Sequence, residues 1–210
     1  MPMMRWSALL TMSWTARLAA PLSTGAGPRS GTILIRNTQR SHAVDVKRLE
    51  EATRVVLRQL RCESFDVGIW LTTDATVRKL NREYRGIARS TDVLSFPFHD
   101  ELAPGSAPDA VDGDDADALN LGDLVLSVPY VKRVADRDGG RPAGAGERGV
   151  SGALAPLTSL DARLAHLVVH GVCHLLNYDH ETDEDFEAMV RVEDACVAAL
   201  RDRRLGGDPP

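Results

Sequence analysis

Residues 160 to 180, LDARLAHLVVHGVCHLLNYDH, constrain the fold more than any other part of this 210-residue chain. Leu164, Leu167, Val168, Val172 and Leu175 recur at three- and four-residue intervals, the period of a helix with one buried side. They predict a helix from about Leu160 to Leu176 that must pack against a sheet or other helices. His170 and His174 ride on it one turn apart, so both imidazoles reach the same side. Asn177, Tyr178 and Asp179 then break the helix and bring in His180. Gly171 predicts close approach of a neighbouring element between the two helical histidines.

Three neutral imidazoles leave a fourth position open on a tetrahedral zinc ion, which is the pattern of a catalytic rather than a structural site. The expectation is one Zn²⁺ held by His170, His174 and His180. A lone histidine on a helix is usually packed or solvated, and an HxxxH pair arises often by chance. Three histidines at spacings of four and six residues are much harder to obtain that way. The spacing also matches the HExxHxxGxxH signature of the metzincin proteases, but Gly171 stands where those enzymes carry their glutamate base. A metallopeptidase would therefore need a base from elsewhere. His166 extends the stripe by a turn; because four ligands from one helix cannot converge, a supporting or surface role is expected for it.

The rest of the chain alternates short β-rich runs with amphipathic stretches. Thr32 to Asn37, Phe65 to Thr72, Thr91 to Phe96 and Gly122 to Val128 read as four strands. Helices are expected from Asp45 to Leu60, with Asp45 as cap; from Thr73 and Asp74 to Arg85 and Gly86; around Tyr130 to Val134; and from Thr182 to Leu200. With the histidine helix these make an α+β domain of four strands and about five helices. Residues 99–118 are acidic and rich in Ala, Asp, Gly and Pro, and residues 137–155 are Gly-rich and dotted with arginine. Both are expected to be exposed loop insertions, and residues 206–210 a disordered tail.

Charge is unevenly placed. The first thirty residues hold Arg5, Arg17 and Arg29 and no carboxylate, with many Ser and Thr, a composition suited to an organellar transit peptide. Residues 31–205 are then the folded domain. Without that leader the chain has 22 basic and 30 acidic residues, a net charge of −8, which argues against a broad nucleic-acid surface. Seven acidic residues, Asp100 to Asp117, fall in the first insertion with no base among them; without them the remainder is at −1, where a local basic patch can still form. No apolar run approaches the length needed to span a bilayer, so a soluble chain with no membrane partner is expected. Three cysteines without CxxC spacing predict no disulfide framework and a reducing compartment.

Three blocks in order carry a family resemblance. HGVCHLLNYDH (170–180), YRGIARSTDVLSFPF (84–98) and LGDLVLS (121–127) resemble the HGxLHLxGYDH, YRG…TDVLSFPF and LGD signatures of the YbeY-type endoribonucleases, metal-dependent factors of ribosomal RNA maturation. The resemblance spans roughly residues 32–200 and implies an α+β fold with a small mixed four-stranded sheet packed with about five helices, its metal helix zincin-like. It implies that His170, His174 and His180 bind zinc and that Arg85 is the functionally required arginine, able to face a scissile phosphate through its planar donor fork. Arg78, Lys79, Arg82 and Arg89 would extend a positive strip around it, or simply form a solvated helix face. The implied substrate is single-stranded RNA, ribosomal RNA foremost, with small-subunit ribosomal proteins as partners. The composition of the first thirty residues sets the expected compartment as a mitochondrion, with a plastid as alternative. A non-catalytic ribosome assembly factor with structural zinc is the competing reading, beside the metallopeptidase. Two departures stand out: Cys173 for a leucine, expected to pack as a small hydrophobe, and Asn177 for a glycine, expected to keep the left-handed turn.

Overall fold

Val67, Ile69 and Leu71 alternate with less buried neighbours along the second strand, so the run presents one face to a core and the other to a different layer. The computed structural model describes residues 30–106, 119–144 and 147–208. The elements are β1 (Ile33–Asn37), α1 (Val46–Gln59), β2 (Asp66–Thr72), α2 (Asp74–Arg85), β3 (Val93–Pro97), β4 (Asn120–Ser127), α3 (Val128–Asp138), α4 (Gly149–Leu154), α5 (Leu160–Leu175) and α6 (Asp183–Asp202). The sheet order is β1-β2-β4-β3, with β1, β2 and β4 parallel and β3 antiparallel on the edge. Ile33 pairs with Val67, Ile69 with Leu124, and Val93 with Leu126.

The two faces of this mixed sheet are covered differently. Val67, Ile69, Leu71, Leu124 and Leu126 point into the main core, shared with α1, α5 and α6. Val125 and Leu94 point the other way and meet Val77 of α2, with Trp70, Leu80 and Phe96 around them. The histidine helix and the arginine-rich helix thus lie on opposite faces, with edge strand β3 between their ends. Leu164, Leu167, Val168, Val172 and Leu175 are all buried, so the apolar stripe read from the sequence is the packed side of α5. A Cβ on Gly171 would sit 2.7 Å from Leu124 Cδ2, and hydrogen in its place lets α5 press directly on β4.

Helix starts follow their caps. The Asp45 carboxylate accepts from Arg48 N at 3.0 Å, Ser159 Oγ from Ala162 N, and Thr182 Oγ1 from Asp185 N at 3.1 Å. Each such cap is worth about 1 kcal/mol. Gly86 (φ +70°) closes α2 at the expected place.

Three expectations need correction. The described residues contain six helices rather than about five, because α4 forms inside the stretch 137–155 read as a flexible loop. Val150 and Ala153 are buried against the core, and α4 packs on α5 and α6. The tail is not free as far as Asp208: Gly206 N donates to Leu200 O at 3.2 Å, and the Asp208 carboxylate accepts from Ser159 N at 2.7 Å and Thr158 Oγ1 at 2.6 Å. Residues 209–210 lie outside the described residues, as do 1–29, on which the transit-peptide reading rests, and 107–118 of the acidic insertion. The described start of that insertion is docked, with Gly105 N donating to Leu176 O at 2.8 Å.

Candidate metal centre

The geometry of the centre begins with the end of α5. Asn177 adopts φ +61°, the left-handed turn that stops the helix, and its side-chain amide donates to His99 O at 2.7 Å and Leu102 O at 3.1 Å. Asparagine therefore does what glycine would do for the backbone and also ties down the first insertion. The turn returns the chain so that His180 stacks on His170, with ring centroids 5.8 Å apart and planes 16° from parallel. His174 stands edge-on to both. One ligand nitrogen from each of the three lies within 4.8 Å of the others.

Two hydrogen bonds decide which nitrogens face inward. The Tyr178 carbonyl lies 2.9 Å from His174 Nδ1, and since a carbonyl only accepts, Nδ1 carries the proton and Nε2 keeps its lone pair. The Glu193 carboxylate likewise takes the Nδ1–H of His170 at 2.7 Å. The two Nε2 atoms are held at a separation of 3.2 Å. It matches the edge of a zinc tetrahedron, about 3.3 Å for nitrogens at about 2.0–2.1 Å from the ion. The residues present thus fit a bound divalent ion. Burial, followed by the charges of His170 and His180, pushes the His174 imidazole down to about 4, so it is a neutral ligand at physiological pH.

Glu193 is the functional residue that the sequence reading missed. It is 4% exposed and its second oxygen accepts from Val150 N at 2.9 Å. Gly149 (φ +59°) makes this possible, since a Cβ there would lie 2.2 Å from that oxygen. One carboxylate therefore links a metal ligand on α5 to the first turn of α4. The signal was present: on α6 it interrupts the buried stripe of Met189, Val190, Cys196, Val197 and Leu200, and a carboxylate on an apolar face seldom lacks a partner.

The remaining candidates separate clearly. His166 is neither on the surface nor at the centre; it is fully buried, its Nδ1–H donates to Ala162 O at 2.8 Å, and Gly206 packs on its ring. Cys173 is fully buried in the core and outside the ligand group, as a small hydrophobe would be. Burial raises its thiol well above the ordinary range. Gly171 faces Leu124 of the sheet, so no side chain at that place could act as a peptidase base. Arg85 ends α2 and is exposed, and among the described residues no acceptor is paired with its guanidinium. Arg78, Lys79, Arg82 and Arg89 are exposed too. From Arg85 the chain runs through residues 86–91 to Asp92, which lines the same cavity as His170 and His180.

An open cluster of three imidazoles, two of them with ring nitrogens fixed by hydrogen bonds, on a mixed sheet has the make-up of a metal-dependent enzyme. The family model described as Endoribonuclease YbeY matches residues 34–201, and the chain belongs to that enzyme family. It is 33% identical over 183 residues to Endoribonuclease YbeY of Rhodopseudomonas palustris strain HaA2, covering 86% of this chain and 82% of the relative. It is 31% identical over 175 residues to Endoribonuclease YbeY of Homo sapiens, covering 83% and 91%. A solution structure of a Thermotoga maritima protein aligns with 20% identity and a TM-score of 0.44, over 85% of this chain and 98% of that one.

Proposed function

We propose that this chain is a zinc-dependent endoribonuclease that cuts single-stranded RNA during maturation of ribosomal RNA, in the small-subunit pathway of an organelle. The observation that carries the reading is the pair of Nε2 atoms 3.2 Å apart, on rings each oriented by an acceptor on its own Nδ1–H. Family membership supplies RNA as substrate, since the relatives are named endoribonucleases. The acid-free, arginine- and serine-bearing composition of residues 1–30 supports an organelle, the mitochondrion ahead of the plastid. Small-subunit ribosomal proteins are the partners proposed for delivery of the RNA.

Zinc held there supplies Lewis acidity towards a phosphoryl oxygen and activates water near neutral pH. The protein's own groups do the rest. Glu193 and the Tyr178 carbonyl hold the His170 and His174 rings in the ligating tautomer, so neither must rotate or lose a proton when RNA arrives. Burial keeps His174 uncharged, so it does not repel a cation. Arg85, unpaired among the described residues and seven positions from Asp92, is assigned to the scissile phosphate, whose growing charge its planar fork can accept.

The test is cleavage of a labelled single-stranded ribosomal RNA fragment by the zinc-loaded protein and by Arg85→Ala. Cutting is expected from the unaltered protein, with a loss of about 100-fold or more in Arg85→Ala at unchanged thermal stability. A folded, zinc-loaded protein that leaves RNA intact would favour an assembly factor with structural zinc.

A further inference from the structure

Beside the histidine centre lies a cavity of about 450 Å³, within the range of about 300–1,000 Å³ typical of small-ligand sites. His170 and His180 form one wall, so whatever occupies it adjoins the group held at the centre. Leu154, Leu167 and Met189 are among its apolar lining residues. At its side the Arg148 guanidinium carbon lies 5.4 Å above the ring of Phe186, and Glu187 holds that guanidinium at 2.7 Å. The result is an aromatic face already set beside a fixed, planar cation.

Polar groups share the lining. Asp92 Oδ1 accepts from Thr91 Oγ1 and Val93 N, both at 2.9 Å, which among the described residues leaves Oδ2 for a ligand's N–H groups. Ser151, on α4, can donate or accept. Apolar side chains, an aromatic ring with a planar cation over it, and hydrogen-bonding groups of both kinds suit a flat heterocycle. Arginine and aromatic planes are the surfaces on which unpaired bases of single-stranded RNA stack.

We propose that this cavity is a nucleobase subsite, in which a base adjoining the scissile phosphate stacks on Phe186 and Arg148 with its edge towards Asp92 and Ser151. The inference rests on the nuclease reading and adds to it where the strand is held. It also gives α4 a purpose. The Gly-rich insertion builds one wall of the subsite, and Glu193 fixes that wall and the metal ligand His170 to the same carboxylate. Metal and base are thereby held in one frame.

The experiment compares the full, zinc-loaded chain with Phe186→Leu, which keeps an apolar side chain but removes the π-face. Two RNAs are used: a single-stranded RNA with one cut site, and the same RNA with an abasic nucleotide beside the cut. With the intact RNA, Phe186→Leu should raise KM about tenfold and change kcat little. With the abasic RNA, on whichever side of the cut the base is seated, the two proteins should have the same KM. Zinc affinity should be equal in both. Equal KM on the intact RNA, while the unaltered chain cuts it, overturns the subsite alone. A parallel fall in zinc affinity also overturns it, because Phe186 would then act through the metal centre. Failure of the unaltered chain to cut RNA overturns the nuclease reading and the subsite with it.

Discussion

Replacing Glu193 by glutamine removes one charge and no volume, and the structure fixes what must follow. The carboxylate serves two donors, His170 Nδ1–H at 2.7 Å and Val150 N–H at 2.9 Å, in a position 4% exposed. An amide has a single acceptor oxygen, so its NH₂ must confront one of those N–H groups. A buried donor left unmet costs about 1–3 kcal/mol, and the metal-free protein should lose that much stability. If the amide oxygen stays with Val150, His170 loses the acceptor that fixes its tautomer; if it turns to His170, the bond persists without the charge that strengthens the ring as a ligand. Either way zinc binding should weaken by about 10- to 100-fold. Competition against a chromophoric chelator measures that change, and urea unfolding of the metal-free protein measures the stability separately. A cycle with His170→Ala isolates the coupling between the pair. If Glu193→Gln loses the expected stability yet binds zinc within about twofold of the unaltered protein, the carboxylate only braces α4 and the ligand-positioning argument is refuted.

Asn177→Gly keeps the left-handed turn but loses two side-chain hydrogen bonds, whereas Asn177→Ala loses both and adds the left-handed strain of about 1–2 kcal/mol; urea unfolding should rank the unaltered chain first, glycine second and alanine last. Cys62, Cys173 and Cys196 are at most 2% exposed, and burial pushes Cys62 up to about 11 and Cys196 to about 12, so a thiol reagent at pH 8 should label none of them in the native protein and all three in denaturant. Burial depresses His166 below its ordinary value, so the unfolded chain takes up that proton first; stability from this group is full above about pH 6.5 and falls as pH drops towards the depressed value. His166→Gln should flatten the stability curve below about pH 6.5 by that one proton, and an unchanged slope would contradict the burial argument.

How much could be read from residues alone depended on how local the cause was. The cluster of three histidines is legible because its spacing lies within eleven residues, and the helix that carries two of them declares itself through its apolar stripe. Gly171 and Asn177 were legible for the same reason, since a close approach and a left-handed stop follow from residue type at a helix end. Glu193 was not, because it meets His170 only after α6 folds back across α5, and no spacing rule links the two. Helix α4 was hidden by the glycines around it; Val150 and Ala153 hold it down, and Glu193 receives its first-turn N–H. The tail hides for a similar reason. Asp208 is one carboxylate in a polar sequence, and its use as a clasp on the start of α5 depends on a partner fifty residues away.

One zinc ion held by three imidazoles is proposed to make the chain an RNA-cutting enzyme. The most direct test titrates zinc into the metal-free protein while following both binding and cleavage of single-stranded ribosomal RNA. Cleavage should rise with zinc and level off at one ion per chain, a chelator should abolish it, and His174→Ala should neither bind the ion tightly nor cut. Cleavage that is indifferent to zinc, or that survives in folded His174→Ala, would contradict it.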